Sequence, residues 1–281
     1  MQYASKFSFL FLSATLIFSA CKKDDDATPE WTSGDKNDLV LEFDNVAGDQ
    51  DLTLNTVQYT NASGEKFNVT TLKYYISNIT LKNEDGTTYT VPQDQSYFLV
   101  DESVNEGGMV TLPNIPAGNY TSVSYTIGVD SSRSAAIETD NSKAVGPLNF
   151  GVGGAGLEMH WPHNGYIHFK MEGTSPAIDS TDMSPNGEYY LHIGFYGSMG
   201  TPNNTRKNTL ATTGTNLIKV RKNIAPEVHI KADVMKLYTG SYTLKLKENP
   251  NMMMASNEIT SKVANNFAAM FEVEHVHNDA K

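Results

Sequence analysis

The chain has 281 residues, with 21 Lys plus Arg against 32 Asp plus Glu and a net charge of −11. Such an acidic surface repels phosphate backbones, so nucleic acid is excluded as a partner. A single Cys excludes a disulfide framework, a Cys-built zinc site and an iron–sulfur cluster, while 27 Thr and 25 Asn favour strands and turns and suit a secreted, loop-rich β protein.

Residues 1–20 carry the pattern of a lipoprotein signal peptide: Lys6 in the basic region, an apolar run from Phe7 to Phe18, then small Ser19 and Ala20 before Cys21. The apolar run is shorter than the ~20 residues that span a bilayer. Phe18-Ser19-Ala20-Cys21 resembles a bacterial lipobox, with Phe18 where Leu is commoner. Cleavage there leaves Cys21 at the N-terminus as the acylated residue, so the membrane would be met through a lipid anchor only. Lys22-Lys23-Asp24-Asp25-Asp26 resembles the surface-export signal of Bacteroidetes lipoproteins. The expected location is the outer membrane, at the cell surface or on its periplasmic face. Residues 21–37 form an acidic tether with Pro29, Gly34 and no apolar period, and Trp31 within it has no evident core partner.

Residues 38–281 are expected to form one β domain. Leu39–Phe43 alternates as a strand, and Phe67–Leu81 keeps a two-residue apolar spacing up to the hairpin signal Asp85-Gly86 before Thr87–Val91. Tyr97–Val100 and Met109–Leu112 are short strands; Ala117-Gly118 turns the chain into Tyr120–Val129. Further strands are predicted at 165–171, 188–195, 216–222, 227–233 and 242–246. The fold class is therefore all-β, an antiparallel sandwich or open barrel. One amphipathic helix is predicted near 257–271, because Ile259, Val263, Phe267, Met270 and Phe271 share a helical face, with Ser256 or Asn257 as cap.

No nucleophile motif, phosphate-cradling loop or His-Glu-x-x-His is present, and the Gly-rich run 151–156 reads as a loop. The seven histidines all follow residue 159, and three lie in Met159-His160-Trp161-Pro162-His163-Asn164-Gly165-Tyr166-Ile167-His168. Imidazole is the commonest metal ligand, which makes His160 and His163 candidates. In a strand, His275 and His277 point to one face and can grip one metal. Met159 and Met252–Met254 add soft thioethers suited to copper, or else fill core space. His168 and His229 sit in strand-like runs and read as hydrogen-bonded structural residues, so replacing His229 should do little.

Tyr74-Tyr75-Ile76-Ser77-Asn78-Ile79, Pro116-Ala117-Gly118-Asn119-Tyr120, Ile127-Gly128-Val129-Asp130, Gly165-Tyr166 with Glu172-Gly173-Thr174, His192-Ile193-Gly194, and Asn265-Asn266-Phe267 with Met270-Phe271 occur in the order of signature stretches of the MbnP-like copper-binding domain family, which the chain resembles from about Leu39 to Asn278. The resemblance implies an extracytoplasmic β-rich protein that handles copper beside a di-haem peroxidase-like partner. That partner oxidises a Trp of the copper protein to kynurenine. By the same resemblance His192 matches the family's His-Ile/Leu-Gly stretch and Trp161 the modifiable aromatic. Many relatives carry a second Trp where this chain has Pro162 and His163, a departure that enriches the loop in imidazole.

The expected protein is thus a lipid-anchored, non-enzymatic copper binder whose ligands come from His192, the His275/His277 pair and His160 or His163. Two alternatives stay open: a surface glycan-binding or adhesion lipoprotein that uses its 14 Tyr for stacking, and a zinc-dependent hydrolase with Glu158 as base.

Overall fold

The computed structural model describes residues 31–104, 107–151 and 154–279. The signal segment, Cys21 and the charged run after it lie outside the described residues.

Two sheets pack face to face. The first is built on β1 (Lys36–Ala47), β4 (Met109–Pro116), β10 (Glu227–Asp233) and β11 (Phe271–His277), in the order β11-β10-β1, with β4 on the other edge of β1. The second is built on β2 (Thr71–Asn83), β3 (Tyr97–Asp101), β5 (Gly118–Ile127), β6 (Gly165–Thr174), β7 (Glu188–Gly194), β8 (Arg206–Ala211) and β9 (Ile218–Val220). Its spine runs β6-β2-β5-β8, with β7 on β6, β3 on β2 and β9 on β5. The all-β sandwich agrees with the sequence reading. One pairing departs from the antiparallel expectation: β1 and β10 run parallel from Val40↔Glu227 to Val46↔Asp233, because the whole second sheet is traversed between them.

The inner faces supply the main core. Leu39, Leu41 and Phe43 of β1 and Val228 and Ile230 of β10 meet Tyr74 and Ile76 of β2, Phe169 and Met171 of β6, and Leu191 and Ile193 of β7. Phe43 sits edge-on to Tyr74, Tyr125 and Phe271 with centroids 5.7–6.1 Å apart, the favourable arrangement for quadrupolar rings. The outward residues of β1 and β10 remain partly solvated, giving the clean two-residue alternation of a half-buried sheet. The second sheet differs: a smaller core of Tyr75, Val129, Ile137, Leu148, Met159, Trp161, Tyr166 and Phe195 covers its other face. Double burial is why Tyr74-Tyr75-Ile76 is apolar without alternation.

Among the described residues there are two α-helices, where the apolar pattern predicts one. The expected helix is α2 (Glu258–Ala268), capped by a reciprocal Asn257–Thr260 box. It ends before Met270 and Phe271, because Phe271 already opens β11. The helix missed by sequence periodicity is α1 (Ser131–Thr139). It has little apolar face and forms through its cap: Asp130 accepts from the Arg133 N–H at 2.9 Å, from Asn78 Nδ2 at 3.0 Å and from the Tyr97 hydroxyl at 2.7 Å. Burial would raise the Asp130 carboxyl, but these donors and Ser132 outweigh it and hold it down at about 2. The polar strand β8 was also missed; the run 242–246 is irregular backbone leading into a turn, with Leu244 and Leu246 buried, rather than a strand. At the N-terminal side, β1 starts at Lys36, inside the expected tether. Trp31 is not idle there: its ring lies 3.9 Å from the guanidinium of Arg221, which is 1% exposed, a cation–π cover over a buried charge.

His168 ties these parts together and is structural, as the sequence suggests. It is fully buried; its Nδ1 accepts the Val129 N–H at 3.2 Å and its Nε2 lies 3.1 Å from the Phe195 carbonyl. A carbonyl only accepts, so Nε2 carries the proton and the ring is neutral. Gly128, at φ +108°, permits this approach, since a Cβ there would fall 2.6 Å from the imidazole Cγ.

Phe267 is fully buried and stacks on Phe169 with centroids 5.4 Å apart. Phe267→Ala is expected to cost ~3–5 kcal/mol in chemical denaturation; a cost below ~1 kcal/mol would make α2 peripheral. Burial lowers the His168 pKa to about 4, against ~6.5 in the unfolded chain. The unfolded state therefore binds the extra proton, and stability is unaffected above pH ~6.5 but falls as pH drops from ~6.5 towards ~4, by about 3 kcal/mol from this residue. Denaturant midpoints across that range, with the His168 ring followed by NMR, check the direction.

Candidate functional site

The candidate histidines do not converge. Folding distributes them over three places, two on the second sheet and its cover and one on the outer face of the first.

His192 lies on β7, where Tyr189, Leu191 and Ile193 point into the main core and His192 therefore points to the covered outer face. It is 5% exposed. Its Nε2 is 2.7 Å from Glu172 Oε1, on the neighbouring strand β6, where Lys170 is its direct cross-strand partner. The Glu172 carboxyl would be raised by its burial, yet the His192 bond and the Lys170 charge hold it at about 2. The other imidazole nitrogen, Nδ1, is buried without a hydrogen-bond partner. That is an uncommon state for a buried polar atom.

Trp161 is the neighbour of this nitrogen's ring, with centroids 6.4 Å apart and planes 31° apart. The indole is 8% exposed and also packs on Phe195 at 5.3 Å. It lies against the backbone of Gly194: a Cβ there would come within 2.7 Å of indole Cζ3. The His192-Ile193-Gly194 stretch thus holds one ligand-type side chain and the flat floor for the indole two residues away. Glu172, which fixes the imidazole, belongs to the signature stretch Glu172-Gly173-Thr174, but sequence reasoning assigns it no role at the site. The pairing of β6 with β7 reveals that role.

His160 and His163 form the second group. His160 packs against Phe150 and Tyr166 at 4.9 and 5.0 Å, and its Nε2 is 3.1 Å from Glu138 Oε1 of α1. Burial lowers its pKa, opposed by the Glu138 charge. His163 is exposed, in a left-handed turn at φ +66°, and its N–H donates to Glu138 Oε2 at 3.1 Å. With Ile137, Phe150, Leu157 and Pro162 they line an open pocket of about 420 Å³. Glu138 could not be foreseen, because α1 itself was not.

The third group corrects the sequence expectation most. His275 and His277 do share a face of β11, but their companion is His229 on β10, not His192. The register places His229 beside His275 and beside Glu42 of β1. The rings of His229 and His275 stack at 4.2 Å, and His277 stands edge-on to both at 5.0 and 4.7 Å. Within the described residues, the sets of three His, Cys, Asp or Glu whose ligand atoms all lie within 4.8 Å of one another are His229/His275/His277 and Glu42/Glu227/His229. His192 belongs to neither. The signal for His229 was available in the parity it shares with Glu227, outward from Val228 and Ile230.

Of the remaining candidates, Met159 and Met252 are core, while Met253 and Met254 are exposed. Glu158 pairs with Lys73 at 2.9 Å, not with an imidazole. Among the described residues Trp31 is the one exposed large aromatic.

A family model described as MbnP matches residues 36–255, from the start of β1 to just before α2. Among solved structures, MbnP from Methylosinus trichosporium is similar, with 13% identity and a TM-score of 0.47 over 69% of this chain and 76% of that one. No curated protein matches. The signature stretches of the sequence are the ones that build the Asn78–Asp130 junction, the Gly128–His168 contact and the Trp161–Gly194–His192 surface, and with the match spanning most of its length the chain belongs to the MbnP family.

Proposed function

We propose that the protein is a lipid-anchored cell-envelope copper binder, not an enzyme, acting in copper acquisition or handling. The observation that carries this reading is the buried His192 nitrogen without a partner beside Trp161, in a chain of the MbnP family. A carboxylate that fixes one imidazole nitrogen and leaves the other free is the usual support of a metal-ligating histidine, and the donor set fits: an imidazole nitrogen suits copper, and nothing here resembles an oxygen cage. Bound copper would supply the redox and ligand-exchange chemistry of the site. His192 would hold it through Nδ1, Glu172 would keep the ring in position, and Trp161, Phe195 and Gly194 would keep water away. A di-haem peroxidase-like partner is proposed to oxidise Trp161 to kynurenine, which would place an aniline nitrogen near His192. His160 and His163 are assigned to the neighbouring pocket rather than to this ligand set.

Two side-chain placements argue against the alternatives. Glycan stacking needs exposed rings, and the exposed Trp31 covers Arg221. A hydrolytic base beside the metal would have to be a free carboxylate, and Glu158 is engaged by Lys73.

Copper added to protein made without the partner is expected to quench Trp161 fluorescence in a Trp31→Phe background. His192→Ala should weaken that response at least tenfold, about 1.4 kcal/mol; an unchanged titration would remove His192 from the site. Cys21→Ala should move the protein from the membrane fraction to a soluble one. Retention of the variant at the membrane, with no lipid label on the wild type, would refute the anchor.

A further inference from the structure

We infer that the outer face of the first sheet holds a second metal site, separate from the His192 centre, in which His229, His275 and His277 bind one late divalent ion, Cu(II) ahead of Zn(II). The residues come from adjacent strands, and β11 follows the residues 36–255 that the family model matches.

A carboxylate lies near each of the three rings. His229 Nδ1 lies 2.9 Å from Glu42 Oε2, His275 Nδ1 lies 3.6 Å from Glu274 Oε2, and His277 Nδ1 lies 3.8 Å from Asp279 Oδ2. Glu42 is at hydrogen-bond distance from His229 Nδ1 and leaves Nε2 of that ring for an ion, the orientation that carboxylates impose on metal-bound histidines, whereas Glu274 and Asp279 lie beyond hydrogen-bond reach and act through their charge. His275 Nε2 and His277 Nε2 face each other at 3.1 Å. Two metal–nitrogen bonds of about 2.0–2.1 Å at tetrahedral or right angles place their nitrogens about 3 Å apart, so the pair already has the spacing of two ligands on one ion. Glu227, with one carboxylate oxygen 3.8 Å from His229 Nε2, adds an oxygen donor on the same side.

Charge and exposure agree. Four carboxylates surround three imidazoles, which favours a divalent cation. His275 and His277 are about half exposed and His229 one-fifth exposed, so an ion can reach the site from solution. Nitrogen ligands with one carboxylate select borderline late metals, and Cu(II) leads that affinity order over Zn(II). Mg(II) and Ca(II) require oxygen ligands and are not expected here. An ion bridging β10 and β11 would also pin the last strand to the sheet.

The test titrates Cu(II), and separately Zn(II), into the mature chain by calorimetry, with nitrogen hyperfine structure of Cu(II) read by electron paramagnetic resonance. The wild type is expected to bind one more ion than His229→Gln/His275→Gln/His277→Gln, and that ion should show several coupled nitrogens. Glu42→Gln should weaken this site by roughly tenfold while keeping its stoichiometry. The substituted side chains are on the outer surface, and unchanged circular dichroism verifies the fold. Equal ion counts and affinities in wild type and triple variant would overturn the site. That outcome is independent of the His192 reading, which is followed through Trp161 fluorescence and His192→Ala.

Discussion

Everything else in the molecule depends on the burial of the second sheet on both faces. Tyr74 and Phe169 fill the space between the sheets, and Tyr75, Tyr166 and Trp161 fill the space outside. Polar groups on a face of that kind must find partners within the protein, because water does not reach them. His168 meets the requirement with two backbone bonds, Asp130 with a ring of donors, and His192 with Glu172 on one side only. The first sheet is under no such constraint on its outer face. There Glu42, His229, His275 and His277 stay partly solvated and organise one another.

The two imidazole environments follow from this difference. His192 sits where dielectric is low and the neighbour is an indole. The His229 cluster sits among carboxylates beside the edge strand β11, where the rings are partly exposed and the field is negative. A single ligand set drawing on both is geometrically impossible, since they belong to different sheets and opposite outer faces of the sandwich.

The family's signature stretches take on physical meaning in this frame. Asn78 adopts a left-handed conformation at φ +51° and interrupts the pairing of β2 with β5 between Ser77 and Thr80. That break brings its amide to Asp130, whose cap starts α1. Gly128 makes room for His168, and Gly194 for Trp161. These are constraints of close approach and capping, and together they build the cover under which His192 is held.

Sequence alone determined the sandwich class, most strands, helix α2 and the concentration of histidine after residue 159, because two-residue alternation and helical periodicity are local properties of the chain. It also paired His275 with His277, since parity along one strand needs no partner. Tertiary structure alone decided the rest. α1 forms from a cap assembled by distant Asn78 and Tyr97, so no apolar period announces it. The parallel register of β1 with β10 placed Glu42 and His229 beside β11, and the pairing of β6 with β7 gave His192 its Glu172. Which imidazoles share a site is set by strand neighbours as far apart in sequence as Glu42 and His229, and that order is not written in any local pattern.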